Sequence, residues 1–239
     1  VEPAPRETRG RATAGSWKWA RTAQTQRALL EAAREVFAER GFTDASIADV
    51  VERAGSSVGS LYHHFGGKSE LFIALWQQHQ LAHEEAASKA VAEAEKAGVT
   101  DPFELFSAGA RAVLEGSWQR RDLAMLFFSG DSPPGFEVMK RRRGHEWIGR
   151  NDALLRLSDT SLDRLYAAVL TSLIGEGARE VATARTRRQA NVIIDAVMAY
   201  ARRLMTGGPV KPATDAGTPR RSAAAASSRR AAVRPAAGR

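Results

Sequence analysis

The stretch LLEAAREVFAERGFTDASIADVVERAGSSVGSLYHHFGGKSELFIAL, residues 29–75, decides the fold. Leu29, Leu30, Ala33, Val36 and Phe37 recur at helical spacing and mark one face of a helix ending near Gly41. Ser46 precedes Ile47, Val50 and Val51, and the run stops at Gly55, so a short second helix is bounded at both ends. Ser57 caps a third helix of about two turns, closing near Phe65 before Gly66 and Gly67. Such a short helix cannot stand alone in water. Leu61 and Phe65 must pin it to Leu30, Val36, Phe37, Ile47 and Val50, leaving Ser60, Tyr62, His63 and His64 to face outward or sideways. A long helix then starts near Lys68 and runs to about Lys96.

Long, short, short, with a tight Ala54-Gly55-Ser56 turn, is the geometry of a helix-turn-helix. The exposed N–H groups at the start of the third helix favour a phosphate. The same text resembles the TetR family of one-component regulators over roughly residues 25–75. The LYHHF run, the following Gly-Gly-Lys68 and the ELF beyond it are its most specific part, with Gly41-Phe42, Ile47-Ala48 and Ala54-Gly55 at the family's offsets.

The resemblance implies a role for individual positions. Ser46 matches the residue that caps the second helix and touches a phosphate. Ser57, Val58, Gly59 and Ser60 match the start of the recognition helix. Tyr62 and His63 match residues that reach the DNA backbone, and Lys68 matches a phosphate-binding lysine. Val58 departs from the pattern, standing where the family often has Lys, Arg or another polar residue; it can meet a thymine methyl but cannot hydrogen-bond a base. Ser56 replaces a commonly apolar turn residue. The resemblance also implies a homodimer on a palindromic double-stranded operator, released by a small, largely apolar effector, as in a repressor.

Outward from this stretch the helical period continues over 102–119, 121–129, 135–156, 160–183 and 187–205. No alternating run is long enough for a strand. The expected fold is all-α with about nine helices: an arm over 1–20, a helix-turn-helix domain over 21–67, a ligand-binding and dimerisation domain over 68–206, and a disordered Arg/Ala/Pro-rich tail over 207–239.

The formal charge of +8 sits in the ends: residues 1–24 carry a net +3, residues 207–239 carry +6, and the 182 between carry −1. A high net charge is therefore a statement about tails, not about a DNA face. The head, residues 25–68, holds five basic and six acidic side chains, so phosphate binding is expected to draw on Lys68, helix dipoles, hydroxyls, and Arg6, Arg9, Arg11, Lys18 and Arg21 of the arm.

In the body, the aromatic and Met set suggests a cavity: His79, Phe106, Trp118, Met125, Phe127, Phe128 and Trp147 are the candidate ligand contacts, and LFFSGDSPPGF a rim or gate. His79 and His83, at i and i+4, have the spacing of a metal pair but no evident third ligand, so a core or pocket histidine is the preferred reading and no metal is expected. Lys140-Arg141-Arg142-Arg143 reads as a solvated helix face. Leu165, Val169, Leu173, Ile193, Val197 and Tyr200 on the last two helices are the candidate dimer interface.

The chain has no cysteine, which excludes disulfides and thiolate metal sites and fits a reducing cytoplasm. Its longest apolar stretches fall short of a membrane span and no signal-peptide pattern opens it, so no membrane partner is expected. No nucleophile–base pair, phosphate-cradling Gly-rich loop or paired carboxylates stand out, so neither catalysis nor a cofactor is expected.

Overall fold

The computed structural model describes residues 12–158 and 160–206, with side chains from Arg21 onward except at position 159. Among the described residues there are nine α-helices and no strand: α1 Ala12–Asp44, α2 Ile47–Arg53, α3 Val58–Phe65, α4 Lys68–Lys96, α5 Pro102–Gln119, α6 Arg121–Phe128, α7 Phe136–Leu155, α8 Ser161–Thr183 and α9 Arg187–Thr206. The all-α expectation holds.

One boundary differs. The first helix begins at Ala12 and not near residue 21, so the second half of the expected flexible arm is helical backbone. The apolar periodicity that marks this helix starts only at Leu29, so its earlier start carried no such signature in the sequence. Residues 1–11 and the tail 207–239 lie outside the described residues.

Helix ends follow side-chain chemistry. Ser46 and Asp49 form a reciprocal capping box at α2, Asp101 caps α5 ahead of Pro102, and Thr160 caps α8 by accepting from the Asp163 N–H. Near its end α1 kinks at Gly41, whose φ of 77° and ψ of −178° are open to glycine almost alone.

The interior falls into two hydrophobic clusters. The first joins Leu29, Val36 and Phe37 of α1, Val50 of α2, Leu61 of α3 and Leu71, Phe72 and Leu75 of α4 to Leu123, Leu126 and Phe127 of α6 and Phe136 of α7. Phe72 is its hub. Its ring meets Phe37, Phe42, Phe127 and Phe136 edge-on at centroid distances of 5.6, 5.2, 5.3 and 5.1 Å. The core under the helix-turn-helix is thus continuous with α6 and the start of α7. The second cluster packs Phe106 and Leu114 of α5 against Leu170, Ile174 and Val181 of α8 and Ile194 and Ala201 of α9.

Candidate nucleic-acid interface and adjoining cavity

The turn between α2 and α3 is built by backbone hydrogen bonds: the Ala54 N–H donates to the Val50 carbonyl at 2.9 Å and the Ser56 N–H to Val51 at 2.9 Å, across Gly55 at φ 57°. Ser57 then caps α3, its Oγ accepting from the Ser60 N–H at 3.1 Å. Leu61 is the one fully buried side chain of α3. Phe65, a turn further on, packs half-buried on the same core, while Ser57, Val58, Gly59, Tyr62 and His63 are exposed and Ser60 and His64 half-buried. Tyr62 and Val58 are 53% and 47% exposed, values that neither has any reason to reach for packing within this chain. Ser46 is exposed beside them.

Gly59 carries a separate signal. A Cβ built on it would meet nothing within 4 Å, and its φ is not positive. A glycine inside a helix costs roughly 1 kcal/mol relative to alanine. Nothing within the chain requires one there.

Lys68 corrects the expectation of a phosphate-binding lysine. Its Nζ donates to the carbonyls of Phe42, Thr43 and Ala45 at 2.7, 3.1 and 2.8 Å and lies 4.6 Å from the centroid of the Phe42 ring. An ammonium has three N–H donors, and all three are taken. Lys68 staples the α1–α2 connection to the start of α4. The other head cations are engaged too: Arg34 with Asp122, Arg40 with Asp49, and Arg53 with Glu35 and Glu39. Of the five basic residues in 25–68, Arg27 is the one that is exposed with no such partner among the described residues.

Two polar ties run from the head to α6 and the loop after it. Arg34 grips Asp122 bidentately at 2.6 and 2.9 Å. Asp131 accepts from the Thr43 N–H at 3.1 Å and from its hydroxyl at 2.5 Å, and these bonds hold its carboxyl below the usual range. Asp131 presses so close to Gly41 that a Cβ there would lie 2.4 Å from its Oδ2. The LFFSGDSPPGF segment therefore does more than rim a cavity, because its aspartate anchors the head.

Beneath this junction a cavity of about 640 Å³ runs between α4, α5, α6, α7 and α8. His79, Phe106, Phe127, Phe128 and Trp147 line it as expected. Trp118 and Met125 do not. Trp118 packs half-buried beside the second cluster with the Arg121 guanidinium 4.5 Å over its ring, and Met125 points to solvent, one residue round α6 from lining Ala124. Sequence reasoning missed Glu84, and it missed Lys140 and Arg143, which line the wall while Arg141 and Arg142 are exposed. Spacing alone held the clue, since 140 and 143 share a helix face.

His79 and His83 face each other through their Nε2 atoms at 3.1 Å, with both Nδ1 atoms buried and unpartnered. Burial lowers both pKa values, to about 3 and about 4, with the Arg120 charge adding to it and His83 also acting on His79. Both rings are neutral at pH 7.

On α8 and α9, Leu165, Val169 and Tyr200 are exposed and Leu173 and Ile193 half-buried. Val197 corrects the expected interface: it is buried against Gly177, where an added Cβ would lie 2.8 Å from its Cγ2, so the close approach that Gly177 permits joins α8 to α9 within one chain. Helical drift hides this, because Val197 and Tyr200 are neighbours on a wheel yet lie on either side of the contact line.

Residues 29–75 match the model of the bacterial regulatory proteins of the tetR family. Over 62 residues the chain is 44% identical to the transcriptional repressor AcnR of Corynebacterium efficiens, covering 26% of this chain and 30% of that protein. Over 51 residues it is 47% identical to the transcriptional activator FasR of Mycolicibacterium smegmatis, covering 21% and 23%. The chain thus spans about a third or less of the curated relatives it matches. The fold extends further: a TetR-like transcriptional regulator from Rhodococcus sp. RHA1 superposes with a TM-score of 0.61 at 24% identity, covering 77% of this chain and 96% of that one.

Proposed function

We propose that the chain is a sequence-specific DNA-binding transcriptional regulator of the TetR family, acting as a homodimer. The observation that carries this reading is α3: a helix pinned by Leu61, with Val58, Gly59, Tyr62 and His63 turned to solvent. Two such helices, one per protomer, enter successive major grooves of a palindromic operator about 34–36 Å apart. The exposed apolar side chains of α8 and α9, Leu165, Val169 and Tyr200, supply the surface for the second copy. Because Arg34, Arg40, Arg53 and Lys68 are engaged by partners within the chain, phosphates are met by backbone N–H groups, by the hydroxyls of Ser46, Ser57 and Tyr62, and by Arg27 and the basic residues before it. A reader of chromosomal DNA works in the cytoplasm, and no described helix is long and apolar enough to cross a membrane.

A small, largely apolar ligand in the cavity releases the operator, making the protein a repressor. Support comes from shared walls. α4 lines the cavity from Trp76 onward and holds the head through Lys68 and Phe72, while α6 lines it through Ala124, Phe127 and Phe128 and holds the head through Asp122. A ligand that fits only a spread arrangement of these helices shifts the heads off register. The test is footprinting upstream of the protein's own gene with wild type and Tyr62→Ala. Tyr62→Ala is expected to lose about tenfold or more in operator affinity while remaining a folded dimer. A wild-type footprint from the variant removes α3 as the reading element.

A further inference from the structure

The cavity is not uniformly apolar, and its charges fall in one place. Lys140, Arg143 and Arg150 of α7 line it, and from the opposite wall Glu84 of α4 reaches the two arginines. Glu84 contacts the Arg143 guanidinium and lies 2.8 Å from Arg150 Nη1. The only other acidic lining residue, Glu95, is eleven positions further along α4, roughly 16 Å away. Glu137 and Glu146 pair with Lys140 and Arg143 from the exposed side and do not line the cavity. On the cavity side, two guanidiniums share a single carboxylate, and Lys140 lines the same wall with its Nζ on the Phe127 carbonyl and Glu137.

Resting on the ligand-release reading above, the geometry points to an amphipathic anion as the effector: an elongated apolar body ending in a carboxylate that binds Arg143 and Arg150, where Glu84 holds its place in the free protein. Three observations carry this. The Arg143 side chain is largely buried, and its Nε–H is buried with no acceptor, a donor awaiting an oxygen. Arg150 gives Glu84 one nitrogen and lies over the Trp147 ring with its centroid 5.5 Å away, which positions its other donors beside the cavity. The remaining wall is mainly apolar and long, with His79, His83 and Glu95 among its polar members: from Trp76 to Glu95 the lining of α4 extends roughly 28 Å, flanked by Phe106, Val113 and Phe127. A lipophilic cation fits less well, because it would compete with two guanidiniums for Glu84 and lie among three positive charges.

Glu84 makes the site a competition between an internal and an external carboxylate. An incoming anion takes over the guanidiniums and frees Glu84, and with it the α4–α7 tie, on the same helix that carries Lys68 and Phe72. This gives the ligand the unequal affinity for two states that release requires.

Calorimetric titration of the full-length protein with decanoate, 1-decanol and decyltrimethylammonium, each below its micelle concentration, tests the inference. Decanoate is expected to bind about tenfold or more tighter than decanol, the difference made by charge-assisted hydrogen bonds. Arg143→Gln/Arg150→Gln should erase that preference and leave decanol unchanged, and Glu84→Gln should tighten decanoate roughly threefold to tenfold. Arg150 is half exposed, so Arg150→Gln alone serves where the double variant does not fold. Equal or tighter binding of decanol or the ammonium compound overturns the anion and leaves the ligand cavity standing. Tight decanoate binding that ignores all three substitutions overturns the anchor. If none of the three binds saturably, the elongated ligand and the anion fall together.

Discussion

In the head, Arg34, Arg40, Arg53 and Lys68 are each held by partners within the chain and line no cavity, whereas in the body Lys140, Arg143 and Arg150, although also paired, line the wall of one. The head's charges fix geometry, and the surface left for DNA is a short helix of small, hydroxylic and aromatic side chains. The body's charges are exposed to whatever enters. Recognition in the head rests on the backbone being held in one shape; recognition in the body rests on side-chain chemistry within a permissive helical frame. Substitutions that break the head's geometry should therefore cost stability first, and those in the cavity should change ligand choice first.

The largest expected effect is at Gly41. Gly41→Ala forces an L side chain into a backbone region open almost only to glycine and toward Asp131, so unfolding should show a loss of about 3 kcal/mol or more. In an Asp131→Ala background the steric part is relieved and the cost should drop, while staying above about 1 kcal/mol for the backbone. Equal costs in both backgrounds would detach Asp131 from the kink, and with it one of the ties between head and cavity.

Lys68→Met comes next and separates a staple from a phosphate contact. Three carbonyls lose their donor, and denaturant unfolding should report a loss of roughly 2–3 kcal/mol. Operator affinity falls because α1, α2 and α4 loosen, but the dependence of log affinity on log salt should keep its slope, since no phosphate contact is removed. A slope reduced by about one would return Lys68 to the DNA backbone.

How far the sequence could be read divides along the same line. Ser46, Gly55, Ser57 and Leu61 were legible because capping, turning and pinning a two-turn helix are local demands that few residues satisfy. Lys68 was misread because a lysine at a helix start looks the same whether its donors meet a phosphate or the carbonyls of Phe42, Thr43 and Ala45, more than twenty residues earlier in the chain. In the body, periodicity gave the helices, and the aromatic set gave Phe106, Phe127, Phe128 and Trp147 of the lining but not Trp76, Val91, Val113, Ile148, Leu154 or Ile174, while Trp118 and Met125 lie on turns whose inward face depends on neighbouring helices. The cationic wall was read as a solvated face because a run of four basic residues usually is one; only the packing of α7 against α4 and α8 turns Lys140 and Arg143 inward.

The buried histidine pair gives the body a pH signature of its own. Both rings titrate below the unfolded value of 6.5, at about 3 and about 4, so the unfolded chain binds more protons throughout that window. Their contribution to stability is complete above pH 6.5 and declines as the pH falls toward 4. Each histidine is expected to raise the unfolding constant by up to about tenfold per pH unit in that window. His79→Leu/His83→Leu should flatten this part of the stability profile, and an unchanged slope between pH 6.5 and 4 would place the acid sensitivity elsewhere.

The smallest effect is the most discriminating for the head. Gly59 lies in α3 with open space where a side chain would begin, and its backbone is compatible with any residue. If the chain alone set the choice, alanine would be better there. Gly59→Ala should stabilise the protein by about 0.5–1 kcal/mol in thermal unfolding, because alanine loses less conformational freedom on entering a helix. If α3 enters a groove at close range, the added methyl should also weaken operator binding several-fold. A gain in stability paired with a loss in binding cannot arise from packing within the molecule, because one surface methyl does both. A gain in stability with full operator affinity would mean that DNA does not approach α3 at Gly59.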